Sequence, residues 1–103
     1  MNKTEKIICY HVSSIAKRDF ILENGLIPLA KTEGSIKYEP RVFFSTDKTR
    51  LGFDYVDYSN IDVWKFKISA GLIKHDGNTS FKCFCYTNQK IDKSKIQLVE
   101  TVV

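Results

Sequence analysis

Ile61-Asp62-Val63-Trp64-Lys65-Phe66-Lys67-Ile68 alternates in character, with Trp64, Phe66 and Ile68 to one side and Lys65 and Lys67 to the other. A period of two residues marks a strand with one face in the core and the other toward water. The same alternation returns from Phe81 to Thr87, and Ile96-Gln97-Leu98-Val99 has the composition of a last strand. Between them His75-Asp76-Gly77-Asn78 carries turn residues. The connections after Ile61 are too short for repeated crossover helices, so these strands are expected in an antiparallel or mixed sheet. A doubly wound nucleotide fold is disfavoured on that ground. A glycine-rich phosphate loop ending in Gly-Lys-Ser/Thr is also missing.

Toward the N-terminus, Ile7-Ile8-Cys9-Tyr10-His11-Val12 reads as a buried first strand, closed by Ser13-Ser14, either of which can cap a following helix. Ile15, Ala16, Phe20 and Ile21 recur at about one helical turn, and Asn24-Gly25 tolerates the left-handed conformation that ends a helix. Pro28 prevents its continuation. The polar stretch from Leu29 to Pro40 reads as a surface loop, with the length and composition of a lid. Arg41-Val42-Phe43-Phe44-Ser45 is expected as a short strand, after which Thr46 can cap a second short helix with Leu51 and Tyr55 on one face, weakened by Gly52. Two short helices in the front half and strands elsewhere predict an α+β domain.

The 103 residues suffice for one domain spanning 1–103, since two cores of half that length would each be marginal. At 43% hydrophobic, with seven phenylalanines, five tyrosines and one tryptophan, the chain can build a core. No run approaches the roughly 20 apolar residues of a membrane-spanning helix, and no signal-peptide pattern follows Met1, so a cytoplasmic location without a membrane partner is expected. Three cysteines, none in a Cys-x-x-Cys spacing, argue against a disulfide framework or zinc finger. Cys83 and Cys85 share a strand face with Phe81 and read as packing residues, with no metal site expected. A net charge of +4 gives a basic surface suited to a nucleotide, a nucleic acid or an acidic protein, although the lysines are scattered rather than clustered. Trp64 and Phe66 between lysines have the composition of a base-stacking platform, but such a face is more often the core side of a sheet, and that is the reading expected here.

The order Tyr10-His11-Val12-Ser13, helix, Ile21-Leu22-Glu23-Asn24-Gly25-Leu26-Ile27-Pro28, then Arg41-Val42-Phe43-Phe44-Ser45 resembles the front half of ADP-ribosyltransferase-like proteins, in the branch with small bacterial and phage members, DNA-modifying toxins and RNA 2′-phosphotransferases. Tyr86-Thr87 followed by Ile91-Asp92-Lys93-Ser94-Lys95-Ile96 is similar to that family's closing hairpin. The resemblance implies a split β-sheet with a cleft for NAD or a related ADP-ribosyl nucleotide. By the same resemblance His11 would hydrogen-bond the nucleotide near a ribose, and Ser45 with Thr46 would support the nicotinamide side. Ser13 is a further ligand contact unless it serves as the helix cap. Arg41 can hold a phosphate through its two-pronged guanidinium, or join a surface ion pair. Tyr38, Tyr55 and Tyr58 are the aromatic rings available to stack on nicotinamide. His75 reads as a turn residue.

Such transferases carry a glutamate on the strand before the closing turn, where it orients a ribose hydroxyl and stabilises the cationic sugar. Here that position falls at or near Cys85, so transfer by a glutamate is not expected. His11 and Tyr86 are the candidates for any residual catalytic role. The phosphotransferase branch uses several arginines, and this chain offers Arg18, Arg41 and Arg50. Two functions follow as expectations: an NAD-binding, ADP-ribosyltransferase-like domain with little or no transfer activity, or a non-enzymatic basic α+β adaptor for a protein, nucleotide or nucleic-acid partner.

Overall fold

The computed structural model describes every residue except 1, 2, 30, 31, 34, 35, 38, 52–59, 78 and 79. The strands are β1 (Lys6–Ser14), β2 (Thr32–Glu33), β3 (Ile36–Lys37), β4 (Val42–Ser45), β5 (Ile61–Ser69), β6 (Lys74–His75), β7 (Phe84–Thr87) and β8 (Ile96–Val102), with one helix, α1 (Arg18–Asn24), among the described residues. Six strands form one sheet in the order β6-β7-β4-β1-β5-β8, and β2 and β3 pair separately. Every pairing is antiparallel.

This corrects the expected α+β class and its split sheet. β1 pairs with β5 along its whole length, from Lys6 opposite Ser69 to Ser14 opposite Ile61, and with β4 on its other side at Tyr10 and Ser45. The six strands therefore run on without a break. The second short helix expected after Thr46 gives way to a turn at its start: the Asp47 carboxylate accepts from the Thr49 amide and hydroxyl at 2.9 and 2.6 Å, and the Arg50 amide donates to the Asp47 carbonyl at 3.0 Å. An aspartate that captures the amide two residues on competes with helix formation. Tyr55 and Gly52, which entered that expectation, lie outside the described residues. The first helix is shorter than its periodicity suggested, because Ile15–Lys17 is a 3-10 turn in which Ser14 Oγ accepts from the Ala16 amide.

Register assigns the two faces of the sheet. On one, Cys9, Val42, Phe44, Trp64, Phe66, Ile68 and Cys85 pack with Ile21 and Leu26 from α1 and its exit and with Ile91. Phe44 and Phe66 meet edge to face, centroids 5.4 Å apart. Alternation along a strand then sends Lys6, Ile8, Tyr10 and Val12, Phe43 and Ser45, Lys65 and Lys67, and Tyr86 to the opposite face. The Trp64 and Phe66 stripe is thus core, Trp64 being wholly buried. A bulge in β8 opposite Val63 and Trp64 lets Thr101 return to the face of Asp62.

The chain leaves α1 through Gly25, the only described glycine with a left-handed backbone, φ 78°. Leu26 and Ile91 exchange both backbone hydrogen bonds at 2.9 Å, which ties the helix exit to the segment before β8. The stretch expected as a lid from Leu29 to Pro40 contains the β2–β3 pair, and Leu29 and Arg41 bridge across its base. None of the described helices is long and apolar enough to cross a membrane.

Candidate functional site

His11 lies in the middle of β1 on the helix-bearing face, opposite Trp64 of β5. Its ring is half-buried, and Nδ1 donates to the Phe43 carbonyl of β4 at 2.6 Å. Because a carbonyl only accepts, that bond puts the proton on Nδ1 and leaves the lone pair of the neutral ring on Nε2. Burial pushes the imidazole pKa below its ordinary value; the Phe43 carbonyl opposes this and Lys17 adds to it. The ring is therefore neutral at pH 7, a hydrogen-bond acceptor with a lysine nearby.

Ser13, two residues along the same face, is buried, and its Oγ accepts from Trp64 Nε1 at 2.8 Å. The capping role belongs to Ser14 instead. His11 and Ser13 thus share a face, but Ser13 holds the core tryptophan.

The other expected contacts lie elsewhere. Ser45 is buried on the opposite face and closes a local turn, donating to the Asp47 carbonyl and accepting from the Asp47 amide, both at 3.0 Å. Thr46 is half-buried, and its amide donates to the Cys83 carbonyl. Arg41 stacks over the Tyr86 ring at 4.1 Å and bonds Glu39 at 3.1 Å, while its Nε is buried with no hydrogen-bond partner among the described residues. Phe43 flanks Tyr86, centroids 5.9 Å apart, and is half exposed. Glu39 is held below the usual carboxylate range, against the opposing effect of its desolvation, by Lys74, Arg41 and the Tyr86 hydroxyl. Tyr86 and Arg41 therefore form their own cluster, across the sheet from His11. Tyr38, Tyr55 and Tyr58 lie outside the described residues.

Where a transferase glutamate would be expected, Cys85 sits in the core opposite Phe44. Burial, with Cys83 and Asp76 nearby, raises its thiol pKa, so the group is a neutral thiol at pH 7, 3.6 Å from His75 Nδ1. Cys9 is likewise pushed up to about 12 by burial and Cys85. Among the described residues no three His, Cys, Asp or Glu side chains gather as metal ligands. The three arginines have separate partners: Asp62 for Arg18, Glu39 and Tyr86 for Arg41, the Phe81 ring for Arg50. They do not converge on one phosphate site.

Two surface grooves among the described residues are lined without His11. One, of about 410 Å³, lies between Lys48, Leu51, Val63, Val99 and Glu100. The second, of about 730 Å³, is framed by Lys6, Lys65, Lys67 and Lys95. Those lysines come from distant parts of the chain, and no local motif announced their meeting. The only available signal was Lys65 and Lys67 on the polar side of one strand. Comparisons with protein families, curated proteins and solved structures found no match.

Proposed function

We propose that the chain binds a nucleotide, NAD or a related ADP-ribosyl compound, at His11 and performs little or no ADP-ribosyl transfer. The observation that carries this reading is the fixed, neutral imidazole. With Nδ1–H committed to the Phe43 carbonyl, Nε2 is an acceptor of the kind a ribose hydroxyl requires. Lys17 supplies positive charge near the ring, which suits a pyrophosphate. The neutral thiol of Cys85 supports the inactive half of the proposal. A cationic sugar forming as nicotinamide leaves needs a fixed negative group, and one well-placed electrostatic group is worth roughly 10²-fold or more in rate.

Calorimetry of NAD and of ADP-ribose against the purified chain tests this. His11→Ala should weaken binding about fivefold, the equivalent of one ordinary hydrogen bond of about 1 kcal/mol, with an intact thermal transition. Because the acceptor is the neutral ring, affinity should hold at neutral pH and fall as the pH drops below the ordinary histidine value of 6.5 toward the lowered one. Unchanged affinity in a folded His11→Ala protein, or no heat from either ligand, overturns the site. Rapid steady release of nicotinamide would overturn the inactive half alone.

A further inference from the structure

We infer that the four-lysine groove on the side of the sheet away from His11 is a binding site for the phosphate backbone of a single-stranded nucleic acid. The groove crosses three adjacent strands. Lys6 comes from the start of β1, Lys65 and Lys67 from β5, Lys95 from the turn entering β8, with Ser94 and Gln97 beside them. Register fixes the layout: Lys67 pairs with Ile8, Lys65 pairs with both Tyr10 and Gln97, and Lys6 pairs with Ser69. Neighbouring strands lie about 4.8 Å apart and alternate residues along a strand about 6.7 Å apart, so the lysines form a compact patch of cations. Lys6 Nζ is steadied by the Ser69 hydroxyl at 3.3 Å.

Among the described residues no carboxylate lines the groove. Of the acids near it in the chain, Glu5 precedes Lys6 without lining the groove, and Asp92, two residues before Ser94, is engaged by the Ser94 amide and hydroxyl at 3.1 and 2.5 Å. Lysines this close together repel one another, and a row of phosphates would relieve that repulsion while releasing its own counterions. Tyr10, opposite Lys65 on the same face, offers a ring on which a base can stack. The groove is a depression in a sheet, and the one helical turn among its described lining residues, the 3-10 turn Lys93–Lys95, is too short to enter a duplex groove. A flexible single strand can follow such a surface where a rigid duplex cannot.

The test is fluorescence anisotropy of a labelled oligodeoxythymidine with the full chain over a salt series. Four lysines predict a slope of log K against log salt of about −2.8, from roughly −0.7 per contacted phosphate on single strands. Lys65→Gln with Lys67→Gln should reduce the slope to about −1.4, and Lys6→Gln with Lys95→Gln should do the same. Glutamine keeps most of the alkyl stem, and the two pairs are independent, so a folding failure in one leaves the other to decide. Lys74→Gln with Lys90→Gln, which removes the same charge off the groove, should leave the slope unchanged. The inference is overturned by absence of oligonucleotide binding at low salt. It is equally overturned by a slope that neither groove pair alters or that the control pair alters as much, and by binding to anionic vesicles but not to the oligonucleotide.

Discussion

The Ser13 hydroxyl shows how much one side chain's role depends on its partner. Trp64 is completely buried, and its indole N–H must find an acceptor in a face made of Cys9, Phe44 and Phe66. Ser13 Oγ is that acceptor, at 2.8 Å. Ser13→Ala should therefore destabilise the fold by about 1–3 kcal/mol, the cost of leaving a buried donor unmade. Urea unfolding followed by tryptophan fluorescence measures it, and a shift within error of zero would mean that the indole has another acceptor. In sequence, Ser13 and Ser14 are interchangeable as caps. Their roles diverge because alternation points Ser13 into the core and Ser14 out of it. His11 was legible as a residue of the first strand, but its tautomer was not, since the Phe43 carbonyl that sets it comes from a different strand.

At the scale of elements, α1 is held more by its exit than by its face. Ile21 is its one buried residue, while Phe20 and Leu22 are each 53% exposed. The anchor is the pair of backbone bonds between Leu26 and Ile91, reached through Gly25. A Cβ on Gly25 would run into the Ile91 carbonyl oxygen and come within 2.9 Å of the Lys93 amide nitrogen, at a φ that side chains rarely adopt. Gly25→Ala should cost more than about 1 kcal/mol and should speed amide exchange at Leu26 and Ile91. Chemical denaturation and exchange measurements check both, and an unchanged midpoint would show that the exit can relax. The helix stop at Asn24-Gly25 was readable from residue types alone. The turn that replaces the start of the expected second helix was not, because Thr46 is an acceptable cap and it is the Asp47 carboxylate that captures the Thr49 amide and hydroxyl.

Across the whole molecule, one ion pair ties together parts of the chain that composition leaves unconnected. Arg18 at the start of α1 grips Asp62 at the start of β5 through Nε and a terminal nitrogen, at 2.9 and 2.6 Å, and Thr101 near the end of β8 donates to the same carboxylate at 2.8 Å. The Asp62 side chain is fully covered. Its pKa is held below 3.8, first by the Arg18 hydrogen bond, against the opposing effect of burial, and then by Thr101 and the Arg18 charge. A carboxylate whose folded pKa is depressed adds stability above its unfolded value, and that contribution is lost as the pH falls through the folded one. Wild-type Tm should therefore drop steeply below about pH 4. Asp62→Asn should be less stable at neutral pH and show a shallower acid decline. Parallel declines in the two proteins would mean that other carboxylates carry the acid sensitivity.

Local pattern by itself determined where the chain extends and turns, because alternation at Ile61–Ile68 and the glycine after Asn24 are short-range consequences of pleat and backbone sterics. It also determined that the side of β5 bearing Trp64 and Phe66 is core, since large apolar rings leave water on whichever face they share. Pairing order was decided only in three dimensions. β1 sits between β4 and β5, strands far from it in sequence, and that arrangement makes one continuous sheet where two half-sheets were expected. The same order separates His11 from Arg41 and Tyr86, which were candidate site residues alongside it, and it gathers Lys6, Lys65, Lys67 and Lys95 into one groove. A residue's face can be read from its neighbours in sequence, but which residues meet across strands depends on long-range backbone hydrogen bonds, which are formed by the same groups in every residue and leave no mark in side-chain pattern.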